Sequence, residues 1–310
     1  MRQIVHVEKS LEKTDMGCCR EVITPGVKEV STSSEPARFE RQVKKNDEEL
    51  EESVKDQSSG RAFTGPIPEK EFSRAEMKDY RSGVARCNYV ASDRFEIAFA
   101  TKELCRGMSN PTEEDVQRFK RTIRFLKGLP RMVQRIAFSD HPPTVIRAYV
   151  DSDWAGCRRT RKSTSGGVLY FGDSVVRGWV STQAVHAVSR GDAEYYAALK
   201  GACAALGFQS MLKDLRLKAS VTLFTDSSAA RGIIHREGLG QLRHLETGYL
   251  WLQAAVKNKR LQMRKVLGAE NPADLFTKHL GAADMWKHLT TLHMSPEEGR
   301  TSAVPCIYYR

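Results

Sequence analysis

Four acidic residues stand where predicted strands end or predicted helices begin. Asp151 and Asp226 each end a strand, while Glu194 and Asp274 lie in the first turns of helices. Strand ends converge at one edge of a sheet, and the first turns of helices pack against that edge. The four carboxylates can therefore meet in one pocket, although they come from separate elements.

Four carboxylates in one pocket repel each other, since each negative charge raises the pKa of its neighbours. Divalent cations remove this conflict, and a set of oxygen ligands favours Mg²⁺ or Mn²⁺. Two such ions about 4 Å apart can activate a water and stabilise the leaving oxygen of a phosphodiester. We therefore expect Asp151, Glu194, Asp226 and Asp274 to bind two ions and to hydrolyse a nucleic-acid backbone.

Each acid also has a purely structural interpretation. Asp226 could be the N-cap of the helix that follows it. Glu194 and Asp274 could lie in first turns because the positive end of a helix dipole favours acids there. Asp151 could be a turn residue. At this stage both interpretations of each acid stay open.

The elements that would position these acids follow from the spacing of apolar residues, which has period two in strands and about 3.6 in helices. The predicted strands are 145–151, 167–171, 175–180, 221–225 and 260–266. The predicted helices are 192–215, 227–235, 242–258 and one that starts at 271–278. This order predicts an α/β domain over residues 144–285, with a mixed five-stranded sheet and flanking helices.

The chain before this domain has two parts. Residues 1–75 are rich in turn-forming residues and include an acidic run, so we expect a poorly ordered N-terminal segment or linker. Residues 76–140 are predicted to form a small helical segment, which includes a helix with Asn110 or Thr112 as its N-cap that ends at Gly128. Residues 286–310 are expected to form a C-terminal tail.

The charge distribution indicates a polyanionic partner. The chain carries a formal net charge of +11, but residues 1–60 contain 10 Lys and Arg against 13 Asp and Glu. The remaining residues therefore carry the whole positive excess, which is typical of proteins that bind nucleic acid. Within it, Arg158, Arg159, Arg161 and Lys162 form a basic loop that is suited to phosphate contact.

Composition excludes several classes of protein. Hydrophobic residues make up 40% of the chain, which is enough for a core. No apolar run is long enough to span a membrane, and the N-terminus has no signal-peptide pattern. Seven scattered cysteines without C-x-x-C spacing favour a reducing, intracellular compartment, with cytoplasm and nucleus both open.

Seven blocks of the sequence resemble, in order, the ribonuclease H region of copia-type retrotransposon Pol polyproteins. They are YVDSDWAG (149–156), RKSTSGG (161–167), GWVSTQA (178–184), SRGDAEYY (189–196), TDSSAA (225–230), LGQLRHL (239–245) and ENPADLFTKHL (270–280). Residues 80–128 resemble the thumb and connection segment of the reverse transcriptase upstream. The resemblance covers roughly residues 78–285.

The resemblance implies a ribonuclease H-like fold and a metal site formed by Asp151, Glu194, Asp226 and Asp274. It implies an endonuclease that uses two Mg²⁺ or Mn²⁺ ions to cut the RNA strand of an RNA–DNA hybrid. It also implies Arg243 and His244 as further nucleic-acid contacts, and the polymerase portion of the same element as a possible partner.

Two departures keep other functions open. Arg190 stands where the family has Ser, four residues before Glu194, and no polymerase palm with adjacent aspartates is found. We therefore expect a fragment that does not polymerise alone, and a catalytically decayed, nucleic-acid-binding copy is the alternative. A transposase- or integrase-like nuclease is less well supported, because its Glu usually lies on a late helix.

Overall fold

The structure, a computed structural model, describes residues 19–27, 72–136, 140–157, 159–238, 240 and 247–297. Its helices are α1 (Arg74–Val90), α2 (Ala98–Arg106), α3 (Glu113–Gly128), α4 (Arg190–Asp214), α5 (Ser228–His235), α6 (Trp251–Lys257) and α7 (Ala282–Thr291). Its strands are β1 (Met132–Gln134), β2 (Val145–Asp153), β3 (Thr164–Phe171), β4 (Ser174–Thr182), β5 (Ser220–Thr225), β6 (Gln262–Lys265) and β7 (Met294–Pro296).

Five strands form one mixed sheet in the order β4-β3-β2-β5-β6. The first three are antiparallel neighbours, whereas β5 pairs parallel with both β2 and β6. Asp151 and Asp153 lie at the C-terminal end of the central strand β2. The first of the four acids therefore lies in the middle of the row of strand ends on one side of the sheet. This arrangement confirms the predicted ribonuclease H-like α/β fold.

Helix α4 packs closely on one face of the sheet because its buried face consists largely of small residues. Ala198, Ala202 and Ala205 are fully buried there. A Cβ atom added at Gly201 would lie only 2.3 Å from Cγ1 of Val150 on the central strand. The close approach of this helix brings its N-terminal turns to the sheet edge that carries Asp151.

The opposite face of the sheet is covered by the upstream helices. Tyr80 and Phe119 from α1 and α3 share one buried cluster with Val168 of β3, Phe276 and Met285. The predicted segments 76–140 and 144–285 are thus joined by a common hydrophobic core. The boundaries that we assigned to them stay predictions.

The prediction of a C-terminal tail is wrong for residues 286–296, which form part of a helix and a strand. Residues 286–310 begin inside α7, and Leu289, Leu292 and Met294 are buried in the core. Strand β7 also pairs antiparallel with β1, which fixes residues 294–296 to the upstream segment. The helical and strand segments after residue 286 are too short for the spacing of their apolar residues to predict this packing. Residues 298–310 lie outside the described residues.

Part of the predicted N-terminal linker, residues 19–27, packs against α3. Arg121 of that helix donates a hydrogen bond to Thr24 Oγ1 at 3.0 Å, and Lys127 donates to the carbonyl of Cys19 at 2.8 Å. Residues 1–18 and 28–71 lie outside the described residues. No helix in the described part of the chain combines the length and apolar character that a membrane span needs.

Candidate metal centre

Three of the four predicted acids converge at the end of the sheet. Asp151, Glu194 and Asp226 each offer one carboxylate oxygen, and these three oxygens lie within 4.8 Å of one another. They come from β2, α4 and the residue that follows β5. The sheet order places β2 and β5 side by side, and α4 packs across both strands, so the fold brings the three residues together.

The carboxylate of Asp151 is buried and held by a residue distant in sequence. Thr277 donates its hydroxyl proton to Asp151 Oδ2. Asn271 Nδ2 donates to the carbonyl of Val150 at 3.0 Å, one residue before Asp151. The segment that carries Asp274 is therefore attached directly to β2 beside the first acid.

Glu194 lies in the second turn of α4 rather than in the first turn that the sequence predicted. Ser189 is the N-cap and forms a capping box with Asp192, so the first turn already has its acidic partner. Gln183 donates to the carbonyl of Ala193 at 2.8 Å and fixes this turn against the sheet. Glu194 itself is buried, and its Oε2 has no hydrogen-bond partner among the described residues.

Asp226 is not the N-cap of the helix that follows it. The cap of α5 is Ser227, whose hydroxyl accepts a hydrogen bond from the backbone N–H of Ala230 at 3.1 Å. The capping interpretation of Asp226 is therefore wrong. Its half-buried carboxylate is directed to the group formed with Asp151 and Glu194 instead.

Asp274 lies beside the three clustered carboxylates but outside the group that they form. It belongs to a short 3-10 helix, Pro272–Phe276, which ends before α7 begins. The helix that was predicted to start at 271–278 is therefore only this short 3-10 helix. Its Oδ2 forms an ion pair with Lys278 Nζ at 2.8 Å, while its Oδ1 is buried without a hydrogen-bond partner in the described residues. Asp274 is near enough to raise the pKa of both Asp151 and Asp226.

The electrostatics of the cluster favour an added cation. Burial, together with the charge of Asp274, raises the pKa of Asp151 to about 7. Burial and the charges of Asp151 and Asp226 raise the pKa of Glu194 to about 9. Burial and Asp274 also raise the pKa of Asp226. In each case the ionised form is disfavoured, and a bound cation would reverse that preference.

The donor set fits a hard divalent cation. All the converging atoms are carboxylate oxygens, which are the ligands that Mg²⁺ and Mn²⁺ prefer. The buried Oε2 of Glu194 is a desolvated acceptor that no described donor satisfies. Such an atom is costly unless it has a partner, and a metal ion would supply one.

The predicted nucleic-acid contacts are described only in part. Arg158, Arg243 and His244 lie outside the described residues. Arg159 and Arg161 are exposed and Lys162 is half-buried, in the loop between β2 and β3. Arg159 Nη2 donates to the carbonyl of Arg106 at 3.2 Å, so the basic loop contacts the end of α2.

Sequence reasoning missed four residues that orient the acids. Gln183, Asn271, Thr277 and Lys278 each contact an acid, or a backbone group next to one. The Asn-Pro pair at 271–272 carried a signal, since Asn is a favoured N-cap and Pro a favoured first helical residue. The partners of Gln183 and Thr277 depend on packing between separate elements, whereas Lys278 pairs with Asp274 four residues earlier in the chain.

Comparison with known proteins confirms the resemblance. The chain is 26% identical over 233 residues to the retrovirus-related Pol polyprotein from transposon TNT 1-94 of Nicotiana tabacum, covering 74% of this chain and 17% of that protein. It is 28% identical over 206 residues to the corresponding polyprotein from transposon RE1 of Arabidopsis thaliana, covering 65% of this chain and 14% of that protein. The chain thus spans less than a fifth of the length of these relatives.

One solved structure similar to the chain is the N-terminal RNase H domain of Rv2228c from Mycobacterium tuberculosis, determined as a fusion with maltose-binding protein. The two are 14% identical with a TM-score of 0.31, and the similarity covers 48% of this chain and 98% of that one. No protein-family model matches the chain.

Proposed function

We propose that this chain is a ribonuclease H-type endonuclease that uses divalent cations to cleave the RNA strand of RNA–DNA hybrids. We further propose that it is a portion of a copia-type retrotransposon Pol polyprotein and acts beside the polymerase portion of that element. The observation that supports the activity is the convergence of Asp151, Glu194 and Asp226 within 4.8 Å, from three separate elements.

In this proposal Asp151, Glu194, Asp226 and Asp274 are the ligands of two Mg²⁺ or Mn²⁺ ions. When bound, the ions would supply an activated water and stabilise the leaving oxygen of the phosphodiester. Asp274 would join the cluster as the fourth ligand, since its buried Oδ1 faces no described donor and its charge already acts on Asp151 and Asp226.

The chain's own residues prepare the site. Thr277 fixes the orientation of the Asp151 carboxylate by its hydrogen bond. The ammonium of Lys278 offsets part of the negative charge, because it opposes the rise in the pKa of Asp151 and Asp226. Arg190, at the first position of α4, also opposes the rise in the pKa of Asp226 and so favours its ionised, ligand-competent form.

Substrate binding in this proposal uses phosphate contacts that carry no sequence information. Arg159, Arg161 and Lys162 are described residues of the loop that follows β2, on the strand that carries Asp151. Arg158, Arg243 and His244 are proposed as further contacts. Because all four acids are present, we favour an active enzyme over the decayed copy.

The test is a cleavage assay on an end-labelled hybrid with Mg²⁺, with Mn²⁺ and with a chelator. The wild type should cut the RNA strand only with metal, and Asp226→Asn should lower cleavage by orders of magnitude. The Asn keeps the shape of Asp226, and the cap of α5 belongs to Ser227, so the variant should remain folded. The matched control is Asp214→Asn at the far, exposed end of α4, which should cleave like the wild type.

Two results would contradict the proposal. Wild-type rates in a folded Asp226→Asn variant would remove this residue from the site. A wild type without cleavage under any metal would favour the decayed copy, and Arg190→Ser would then show whether this substitution caused the loss.

A further inference from the structure

Helix α2, which lies upstream of the ribonuclease H-like sheet, contacts the sheet edge beside the acidic cluster. Lys102 Nζ donates to Thr164 Oγ1 at 2.6 Å, and Arg106 Nη2 donates to Thr182 Oγ1 at 3.0 Å. The two cations are on one helix face at positions i and i+4. They therefore meet neighbouring strands, β3 and β4.

The register of the sheet gives the direction of this contact. Asp153 pairs with Thr164, and Thr164 pairs with Thr182, so the three side chains form a row on one face. Asp151, two residues before Asp153, faces the same side. Arg106 contacts this row at Thr182 on β4, which is two strands away from β2. Since adjacent strands are about 4.8 Å apart, the contact lies about 10 Å from β2.

Positive charge accumulates at the far end of this row. The guanidinium of Arg159 donates to the backbone carbonyl of Arg106, so the two residues are in contact. Of the nearby acids, Glu103 pairs with Lys102 at 2.5 Å and lies 3.7 Å from Arg106, and the charge of Asp153 in the same row also acts on Lys102. Lys102, Arg106 and Arg159, which we name the α2 basic strip, therefore outnumber the two carboxylates near them.

The members of the strip differ in accessibility. The side chain of Lys102 is 10% exposed, so its main role is to hold α2 against β3. The side chain of Arg106 is 17% exposed, and Arg159 is exposed. An arginine whose guanidinium is fixed by one hydrogen bond keeps further donors in a planar fork, which matches a phosphate group.

We propose that Arg106 and Arg159 bind a backbone phosphate of the nucleic acid about two strands away from the acidic cluster. The inference rests on the proposed function and extends the substrate surface to a helix outside the ribonuclease H-like domain. The acidic cluster repels a polyanion, and a basic strip about 10 Å away attracts it. One rigid surface therefore both holds the backbone and presents it to the carboxylates.

The test measures binding without cleavage. Fluorescence anisotropy of a labelled RNA–DNA hybrid, in chelator and at several NaCl concentrations, compares the wild type with Arg106→Gln. Loss of one phosphate contact should weaken binding at low salt and reduce the slope of log affinity against log salt by about 0.9. The matched control is Lys213→Gln in the last turn of α4, about 28 Å along the helix from Glu194, which should leave the slope unchanged.

A second variant separates binding from structure. Thr182→Val removes the partner of Arg106 and keeps its charge, so the salt slope should stay near that of the wild type. Equal slopes for Arg106→Gln, Lys213→Gln and the wild type would overturn the inference, even if cleavage with metal is normal. If the wild type neither binds nor cleaves the hybrid, the proposed function fails as well.

Discussion

The ammonium of Lys278 lies 2.8 Å from Oδ2 of Asp274, one turn earlier in the chain. The charges of Asp151, Asp274 and Asp226 raise the pKa of this lysine, although burial alone would lower it. The ammonium of Lys278 is thus a cation beside the acidic cluster. It is held by Asp274, the acid that lies outside the three converging carboxylates. This cation and a bound divalent metal ion would act on the same negative charge.

We expect Lys278→Met to tighten Mn²⁺ binding and to destabilise the metal-free protein. Removal of the ammonium leaves the carboxylates uncompensated and frees Asp274 as a ligand. The lysine is half exposed, so its ion pair is worth at most about 1 kcal/mol. The gain in Mn²⁺ affinity should therefore be about two- to fivefold. Titration calorimetry measures it, with Lys287→Met on α7 as the control, and equal Mn²⁺ affinity in both variants would contradict the expectation.

Metal-free stability should fall as the pH rises through the range 6–9. The folded protein raises the pKa of Asp151 to about 7 and that of Glu194 to about 9, so the fold favours their protonated forms. Stability from such groups is present at low pH and is lost as pH rises through the folded pKa. Melting curves in chelator should show this loss, and Mg²⁺ should reverse it, because metal binding requires the ionised ligands.

Glu194→Gln is the control for this pH dependence. The variant has no carboxyl to ionise at this position, so its melting temperature should change less between pH 7 and pH 9. The range from pH 7 to pH 9 lies above the titration of His279, because burial lowers the pKa of its imidazole to about 4. A metal-free melting temperature that rises over pH 7–9 in the wild type would contradict the prediction.

Gly166→Ala should disturb the metal centre through packing. Gly166 pairs with Asp151, and a Cβ there would lie 2.7 Å from both Phe276 Cβ and Thr277 Cγ2. The turn that carries Asp274 must then move, which costs about 1–3 kcal/mol as overpacking. We expect a lower melting temperature and weaker metal binding.

The control for this substitution is Gly207→Ala in the middle of α4. A Cβ at Gly207 would meet no atom within 4 Å, so the variant should be more stable by about 0.5–1 kcal/mol. Denaturant unfolding compares the two variants directly. A Gly166→Ala protein with wild-type stability and metal affinity would show that the turn does not depend on this close approach.

Asn271→Ala should weaken the link between the Asp274 turn and β2. The variant loses the hydrogen bond to the carbonyl of Val150 and the cap on the N–H of Ala273. An unsatisfied buried carbonyl costs about 1–3 kcal/mol. Asn258→Ala, at the exposed end of α6, should change the unfolding free energy by only a few tenths of a kcal/mol, and a similar effect of both substitutions would rule out the anchoring role.

Local patterns in the sequence were enough to predict most of the strands and helices of the sheet domain. The turn between β3 and β4 was predicted at Gly172, whose φ of +60° favours glycine. The spacing also selected Asp151, Glu194 and Asp226, because strand ends and early helix turns are visible in apolar periodicity. These features depend on residues within a few positions of each other.

Tertiary structure alone decided how the acids are supported. Thr277 reaches Asp151 across 126 positions, and Arg106 reaches Thr182 across 76. Periodicity reports which face of an element is buried, but it does not report which distant segment covers that face. The packing of α2 and of the Asp274 turn on the sheet sets those contacts, because close-packed side chains fit together in only a few arrangements.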